Sequence, residues 1–371
     1  MYKDDPTDTK FREIVVLAAR KLLGIEDPDE AVPETGSLAL AASRLCLNFH
    51  ASSTIPETLV KSHLAFCCYI SEDRNVLIAD YPVEPTVSLA ASYAINSKMY
   101  PGATWENALK QLTNQIKVGM VENGYRGELV ARILLLIAWD KATKDVEPYL
   151  FMPITVKSFL SSFSVQVLDE VQRCKMSDSN LDALLDGYVF FTRFTYVTFT
   201  QTEEHLKNHF SLCSAIICKR CEEAIDLIIP VLLQTGRMSY ISVQIKNYSK
   251  ESTRPDISML NHLANGKLGF IKGVPFLTLL MCLGSAEESA EALNVGSIHH
   301  MQTRNALKLD QGALVRLSGL GVYSVLENEP FTRSLEEMLT GWKDTVGLAM
   351  TVRHFEMKDT IKSVFATSYL W

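Results

Sequence analysis

Three polar residues in the middle of the chain have the types and the order of a site for a divalent cation. Asp226 interrupts the otherwise apolar run 224–233, and Gln244 and Lys246 follow in the run 240–247. A buried carboxylate needs a cation or hydrogen-bond donors to offset the loss of its hydration. Mg²⁺ prefers hard oxygen ligands, so a carboxylate and an amide oxygen are suitable partners.

The chemistry that this set predicts is attack of water on a phosphate. A backbone carbonyl near Ile245 would complete the oxygen ligands of the ion. The ammonium group of Lys246 would orient the attacking water and stabilise the charge that develops on the phosphate in the transition state.

A pair of strands must position these residues. Side chains alternate between the two faces of a strand, so Gln244 and Lys246 share one face and Val243 and Ile245 share the other. The turn-like segment QTGRM between the two runs predicts a hairpin that brings Asp226 to the same end of the sheet. Pro230 favours an edge or bulged position for the first strand, because proline has no N–H to donate.

Helices account for most of the chain before this hairpin. Apolar residues at three- and four-residue spacing predict helices over 11–23 and 37–49, and Thr104 is suited to cap a helix through Lys117. The run 128–143 is apolar nearly all round, which predicts a helix inside the fold. Elsewhere the patterns predict a hairpin over 66–80, a loop over 174–187, a helix over 203–221, and strands over 274–283 and 313–326.

The blocks AIDLIIP, which contains Asp226, and VQIKN, which contains Gln244 and Lys246, resemble the core of the PD-(D/E)XK, or restriction-endonuclease-like, superfamily. The resemblance is closest to its Mrr-like branch, in which Gln often replaces the acidic residue. The superfamily places a further Glu on a helix before the core strands, and Glu128 matches that position. The chain also resembles a family of proteins of unknown function from mushroom-forming fungi, which share the blocks GYRGELVARILLLIAWDKA and AIDLIIPVLL.

This resemblance implies an α/β fold with a mixed-sheet core flanked by helices. A mainly helical region would occupy residues 1–120, and the nuclease-like domain would span 121–371 with a helical insertion at about 145–222. The implied activity is metal-dependent hydrolysis of phosphodiester bonds in DNA. The implied catalytic residues are Asp226, Gln244, Lys246 and Glu128, of which Asp226, Gln244 and Glu128 would bind Mg²⁺ or Mn²⁺.

Two other interpretations of the same residues stay open. The neutral Gln244 also fits a catalytically inactive nuclease fold that serves as a nucleic-acid or protein binding module. Asp226 and Lys246 also fit a partly buried ion pair between two strands, in a protein-interaction module built on the long helices.

The charge distribution restricts how nucleic acid could bind. The chain has 36 Lys and Arg against 43 Asp and Glu, a net charge of −7, so it does not coat nucleic acid by bulk positive charge. Six basic and two acidic residues lie between Arg237 and Lys272, which predicts phosphate contacts from Arg237, Lys250 and Arg254. A solvated loop with a chance excess of charge fits this segment equally well. We expect DNA rather than RNA as the partner, with a homodimer as a candidate assembly.

Several other classes lack support in the sequence. His205, His209, Cys218 and Cys221 suit zinc by type, but the pattern places them on one continuous helix, which cannot close a tetrahedron. No GxxxxGK[ST] or GxSxG motif occurs, and no apolar run approaches the roughly 20 residues of a membrane span. Eight cysteines without regular spacing fit a reducing compartment, so we expect an intracellular protein of the cytoplasm or nucleus.

Overall fold

A computed structural model of the 371-residue chain describes residues 6–47, 49–50, 55–72, 74, 77–82, 84–117, 126–144, 152–174, 176–197, 201–218, 225–246, 271–285, 288–292 and 312–340. The described residues up to Leu339 form one compact unit. None of the described helices is long and apolar enough to cross a membrane.

The N-terminal part is mainly helical, as predicted. Its helices are α1 (Pro6–Leu23), α2 (Glu34–Leu45), α3 (Ile55–Ser62), α4 (Pro85–Asn96) and α5 (Trp105–Lys117). The predicted hairpin is confirmed as β2 (Phe66–Ile70) and β3 (Leu77–Asp80), and β1 (Phe49–His50) completes a sheet of order β1-β3-β2. The helix predicted over 37–49 ends at Leu45, where Cys46 takes a left-handed conformation.

The helix α6 (Arg126–Lys144) lies inside the fold. Its run from Leu129 to Asp140 is buried at every position, as its uniformly apolar pattern predicts. Such a helix takes its position from its neighbours, and α2 and α4 both pack against it.

The main sheet is mixed, and its centre is the predicted pair of strands. The strands are β4 (Ile154–Thr155), β5 (Tyr188–Val189), β6 (Arg193–Tyr196), β7 (Ser214–Ile217), β8 (Leu227–Leu232), β9 (Met238–Lys246), β10 (Phe276–Cys282), β11 (Ser289–Ala292) and β12 (Gly312–Ser318). Its order is β11-β12-β10-β9-β8-β5-β4, with β7 pairing with β8 and with β6. The β8–β9 pair is antiparallel, whereas β9, β10 and β12 run parallel.

Pro230 lies in β8 without breaking it. It stands opposite Tyr240 of β9. On the other edge of β8, β7 pairs with Leu227 and Ile228, and β5 pairs only with Val231 and Leu232. Pro230 therefore lies in a gap between the two partners, where a missing N–H is tolerated.

The remaining helices are α7 (Val156–Phe163), α8 (Val165–Gln172), α9 (Asp178–Leu185), α10 (Glu203–Ser211) and α11 (Thr332–Thr340), with a 3-10 turn at Ser324–Leu326. Two predictions are wrong here. The acidic segment 174–187 contains α9, because Leu181, Leu184 and Leu185 recur at helical spacing and pack against the core. The helix predicted over 203–221 ends at Ser211, where the chain turns and enters the fully buried strand β7.

The architecture is thus α/β, a mixed sheet with helices packed on it and a helical N-terminal region, as expected. Strands over 274–283 and 313–326 are confirmed as β10 and β12, although β12 ends at Ser318. The predicted helical insertion at about 145–222 also contributes β4 to β7 to the sheet. The domain boundary near residue 120 stays a prediction.

Candidate functional site

Asp226 lies one residue before β8 and is held there by its backbone. Its N–H donates to the carbonyl of Val243 at 2.9 Å, and its carbonyl accepts from the N–H of Cys218 at 2.9 Å. The side chain turns toward β9, where Oδ2 accepts from the N–H of Ile245 at 2.6 Å and from Nε2 of Gln244 at 2.7 Å. The strand pairing therefore fixes this carboxylate at the end of the β8–β9 pair.

Gln244 is almost completely buried and only half of its amide group is satisfied. Its Nε2 donates to Asp226, whereas Oε1 is buried and has no hydrogen-bond partner. A buried polar atom without a partner costs about 1–3 kcal/mol, so native proteins rarely keep one without a reason. An unpaired carbonyl-type oxygen beside a carboxylate is a candidate ligand for a hard cation.

Glu128 of α6 interacts electrostatically with Asp226. It lies in the first turn of that helix, where the helix dipole favours negative charge. Burial raises the pKa of its carboxyl, the negative charge of Asp226 raises it further, and the positive charge of Arg132 lowers it. A helix carboxylate and a strand carboxylate 98 residues apart in the chain are therefore electrostatic neighbours.

Lys246 ends β9 and shares a face with Gln244. Burial raises the pKa of Asp226 to about 6, and the bond from Ile245 and the charge of Lys246 only partly oppose that shift. No ion pair joins Lys246 to Asp226 among the contacts of the described residues. The charge of Lys246 nevertheless acts on Asp226, so the alternative of a partly buried ion pair between the two strands stays a prediction.

We call Glu128, Arg132, Asp226, Gln244 and Lys246 the Asp226 cluster. The charges of Asp226 and Arg132 act on Glu128, and the charge of Lys246 acts on Asp226. No three His, Cys, Asp or Glu side chains in the described part of the chain come together as a metal site. A cation here would thus depend on two carboxylates and on neutral oxygens, chiefly Oε1 of Gln244, a donor set that fits Mg²⁺ or Mn²⁺.

Comparison with known proteins identifies a family. A family model described as a domain of unknown function (DUF8736) matches residues 27–265, more than half of the chain. The chain belongs to this family. No curated protein and no solved structure matches the chain. The DUF8736 match spans α2, α6, β8 and β9, and so contains every member of the Asp226 cluster.

The predicted nucleic-acid residues do not all lie near the cluster. Arg237 precedes β9, whose opposite end carries Lys246, so the two are roughly 30 Å apart at about 3.3 Å per residue. Its guanidinium forms an ion pair with Glu203 of α10, with bonds of 3.2 and 2.8 Å. Lys272 lies at the same end, because its carbonyl accepts from Arg237 at 3.4 Å. Lys250 and Arg254 lie outside the described residues.

The residues considered for zinc are spread over different elements of the DUF8736 region. His205 caps the start of α10, and Nδ1 of His209 is 2.9 Å from the hydroxyl of Ser214. Cys218 follows β7, and Cys221 lies outside the described residues. The expectation of one continuous helix is therefore wrong, since α10 ends at Ser211.

Two charged residues of α6 with structural partners were not predicted from the sequence. Arg132 follows Glu128 by four residues, a spacing that places both on one side of the helix. Asp140 accepts bonds from Arg44 and Trp105 inside the helical region. The i,i+4 spacing could have identified Arg132, whereas nothing in the sequence pairs Asp140 with a residue 96 positions away.

Proposed function

We propose that this protein hydrolyses phosphodiester bonds in DNA with the help of Mg²⁺ or Mn²⁺. The observation that carries the proposal is the buried, unpartnered Oε1 of Gln244, whose Nε2 is bonded to the Asp226 carboxylate. The charge of Asp226 also raises the pKa of the Glu128 carboxyl. The four residues that carry the resemblance are linked by a hydrogen bond from Gln244 to Asp226 and by the electrostatic influence of Asp226 on Glu128 and of Lys246 on Asp226, which supports the proposal.

The ligands of the ion would be the carboxylates of Glu128 and Asp226, Oε1 of Gln244 and the backbone carbonyl of Ile245. A bound divalent ion supplies Lewis-acid stabilisation of phosphate oxygens and lowers the pKa of a bound water. Asp226 accepts both of its side-chain hydrogen bonds at Oδ2, so Oδ1 would be the oxygen that holds the ion. This arrangement is preorganised, because the strand pairing has already fixed the carboxylate.

Lys246 would act on the substrate directly. Its ammonium group is on the Gln244 face at the end of β9 and is only partly buried, so it can contact a phosphate that approaches this edge. There it would orient the attacking water and stabilise negative charge on the phosphate oxygens as the bond to the leaving group breaks. A cytoplasmic or nuclear protein would meet DNA or RNA in this role, and the resemblance favours DNA.

A second candidate function is a binding module without catalysis. It is favoured by the hydrogen bond of 2.7 Å from Gln244 to Asp226, which partly satisfies the carboxylate without a cation. Titration with Mn²⁺ in a calorimeter separates the two functions. Uptake of the ion supports the hydrolase, and no uptake supports the binding module.

Supercoiled plasmid with Mg²⁺ or Mn²⁺ tests the catalytic proposal. We expect the wild-type chain to cleave it and Lys246→Ala to be slower by about 10²- to 10³-fold, the usual loss for one group that stabilises the transition state. The matched control is Lys272→Ala, which removes an exposed lysine from the opposite end of the sheet and should cleave like the wild type.

Two results would remove the catalytic proposal. Equal cleavage by the wild type and Lys246→Ala would indicate a contaminating nuclease or a different site. Absence of cleavage by the wild type with either metal would leave the binding module.

A further inference from the structure

Arg132 joins the N-terminal helices to the cluster. Its guanidinium is buried, and Nη1 donates to the backbone carbonyl of Leu45, the last residue of α2. Its Nε donates to the backbone carbonyl of Glu128 at 3.4 Å. One side chain therefore bonds both the end of α2 and the first turn of α6, the turn that carries Glu128.

The end of α2 is a suitable anchor for a cation. The last carbonyls of a helix lack partners inside the helix and carry its partial negative charge. A second contact fixes the same two helices, since Arg44 of α2 binds Asp140 of α6 through two bonds of 2.6 and 2.8 Å. Each helix thus supplies one arginine to the other, and together they restrict how α6 can shift or rotate.

We infer that Arg132 is a positioning residue that fixes the first turn of α6, and with it the Glu128 carboxylate, through its bonds to the carbonyls of Leu45 and Glu128. This inference rests on the proposed function, because it concerns how the ligands of that ion are kept in place. It also gives the N-terminal helical region a role, because α2 then helps to hold the Asp226 cluster in position. Groups that orient metal ligands typically change metal affinity by about 10- to 100-fold when they are removed.

Two conservative variants of Arg132 separate the effect of its charge on Mn²⁺ affinity from the effect of its two hydrogen bonds. Arg132→Lys keeps the positive charge and loses the planar fork that reaches two carbonyls at once. Arg132→Gln loses the charge and keeps one amide group that can donate to a carbonyl. If Arg132 acted through its charge alone, the lysine variant would bind Mn²⁺ like the wild type and the glutamine variant would bind it more tightly.

The experiment is calorimetric titration of the full chain with Mn²⁺ at constant pH. We expect Arg132→Lys and Arg132→Gln each to bind the ion about 10-fold or more weakly than the wild type. The control is Arg193→Lys, since Arg193 is likewise buried and donates to the carbonyl of Pro82. It should melt at a lower temperature and keep its affinity for Mn²⁺, so that loss of stability and loss of binding are told apart.

The outcomes distinguish this inference from the proposed function. If both Arg132 variants bind Mn²⁺ as tightly as the wild type, the positioning role is overturned and the proposed function is unaffected. The same conclusion follows if Arg193→Lys loses as much Mn²⁺ affinity as the Arg132 variants. A wild-type chain that takes up no Mn²⁺ overturns both. If Arg132→Lys does not fold, the glutamine variant decides, because charge predicts tighter binding and positioning predicts weaker binding.

Discussion

Two aspartates, Asp140 and Asp226, interrupt apolar segments of this chain, and their surroundings are opposite. Asp140 accepts two bonds from the guanidinium of Arg44, one from Nε1 of Trp105 at 2.7 Å and one from Ser92 at 3.0 Å. Asp226 accepts two bonds, both at Oδ2 and both from uncharged donors. The first carboxylate is neutralised within the protein, and the second is not.

The difference indicates which of the two belongs to the fold and which belongs to a site. The bidentate partner of Asp140 is also buried, and its guanidinium lies 5.2 Å from the ring centre of Trp105, so nothing there remains for a ligand. Asp226 is bonded to Gln244, whose amide oxygen is unpartnered, and its charge raises the pKa of the Glu128 carboxyl. Burying these carboxylates and this amide oxygen costs free energy in the absence of a cation, and a bound cation offsets that cost.

Removal of the Arg44 guanidinium should have the largest effect on stability. Arg44→Met leaves the Asp140 charge buried without its cation, and we expect the free energy of unfolding to fall by about 3–5 kcal/mol. Urea unfolding at pH 7 measures the change.

The double variant Arg44→Met/Asp140→Leu checks the cause. It removes both charges and replaces them with apolar groups, so it should recover most of the lost stability. A double variant as unstable as Arg44→Met would show that lost packing, not the unpaired charge, is responsible.

Asp226→Asn should raise the free energy of unfolding, whereas Arg44→Met should lower it. It removes a charge whose pKa is raised to about 6 by burial, so without divalent ions we expect a stability gain of about 1–3 kcal/mol at pH 7.5. The same variant should no longer be stabilised by Mn²⁺. A loss of stability in metal-free buffer would mean that Asp226 serves the fold as Asp140 does.

The pH dependence of stability sharpens this contrast. The Asp226 carboxyl titrates near its ordinary value of 3.8 in the unfolded chain and at about 6 in the folded one. Between these values the folded state binds more protons, so the contribution of Asp226 is full below about pH 4 and is lost as the pH rises through 6. The free energy of unfolding of the wild type, measured relative to that of Asp226→Asn, should therefore fall as the pH rises from 4 to 7. The same pH dependence in both proteins would contradict this prediction.

His209 should give a smaller effect at the acid end. Burial lowers its pKa to about 4, helped by the charges of His205 and Arg193. Its contribution is therefore full above the unfolded value of 6.5 and is lost as the pH falls toward 4. Relative to its own stability at pH 7.5, His209→Gln should lose about 1 kcal/mol less than the wild type at pH 5.5. An equal loss in both would argue that the imidazole is not held neutral.

The sequence predicted the elements that have a strong local pattern. The alternation of residue types predicts the strand β9 and the uniform apolarity predicts the buried helix α6, and both elements are confirmed. The helix α9 was missed because its polar residues outweigh three leucines, and β7 because its four residues continue the helical pattern of α10. Tertiary burial decides such short segments.

The site was partly predictable for the same reason. Strand alternation placed Gln244 and Lys246 on one face, and the hairpin placed Asp226 near them. Nothing local predicts that the charge of Asp226 acts on Glu128, since that depends on how α6 packs on the sheet. Phosphate contacts from the basic segment stay a prediction, since Arg237 precedes β9, Lys246 ends it at the opposite end, and Lys250 and Arg254 lie outside the described residues.

The most direct test of the central claim is a crystal structure of the protein soaked with Mn²⁺, examined by the anomalous scattering of the ion. We predict a peak enclosed by the carboxylates of Glu128 and Asp226 and by Oε1 of Gln244, with metal–oxygen distances of about 2.0–2.2 Å. No peak there at saturating Mn²⁺, with Gln244 still bonded to Asp226, would contradict the claim.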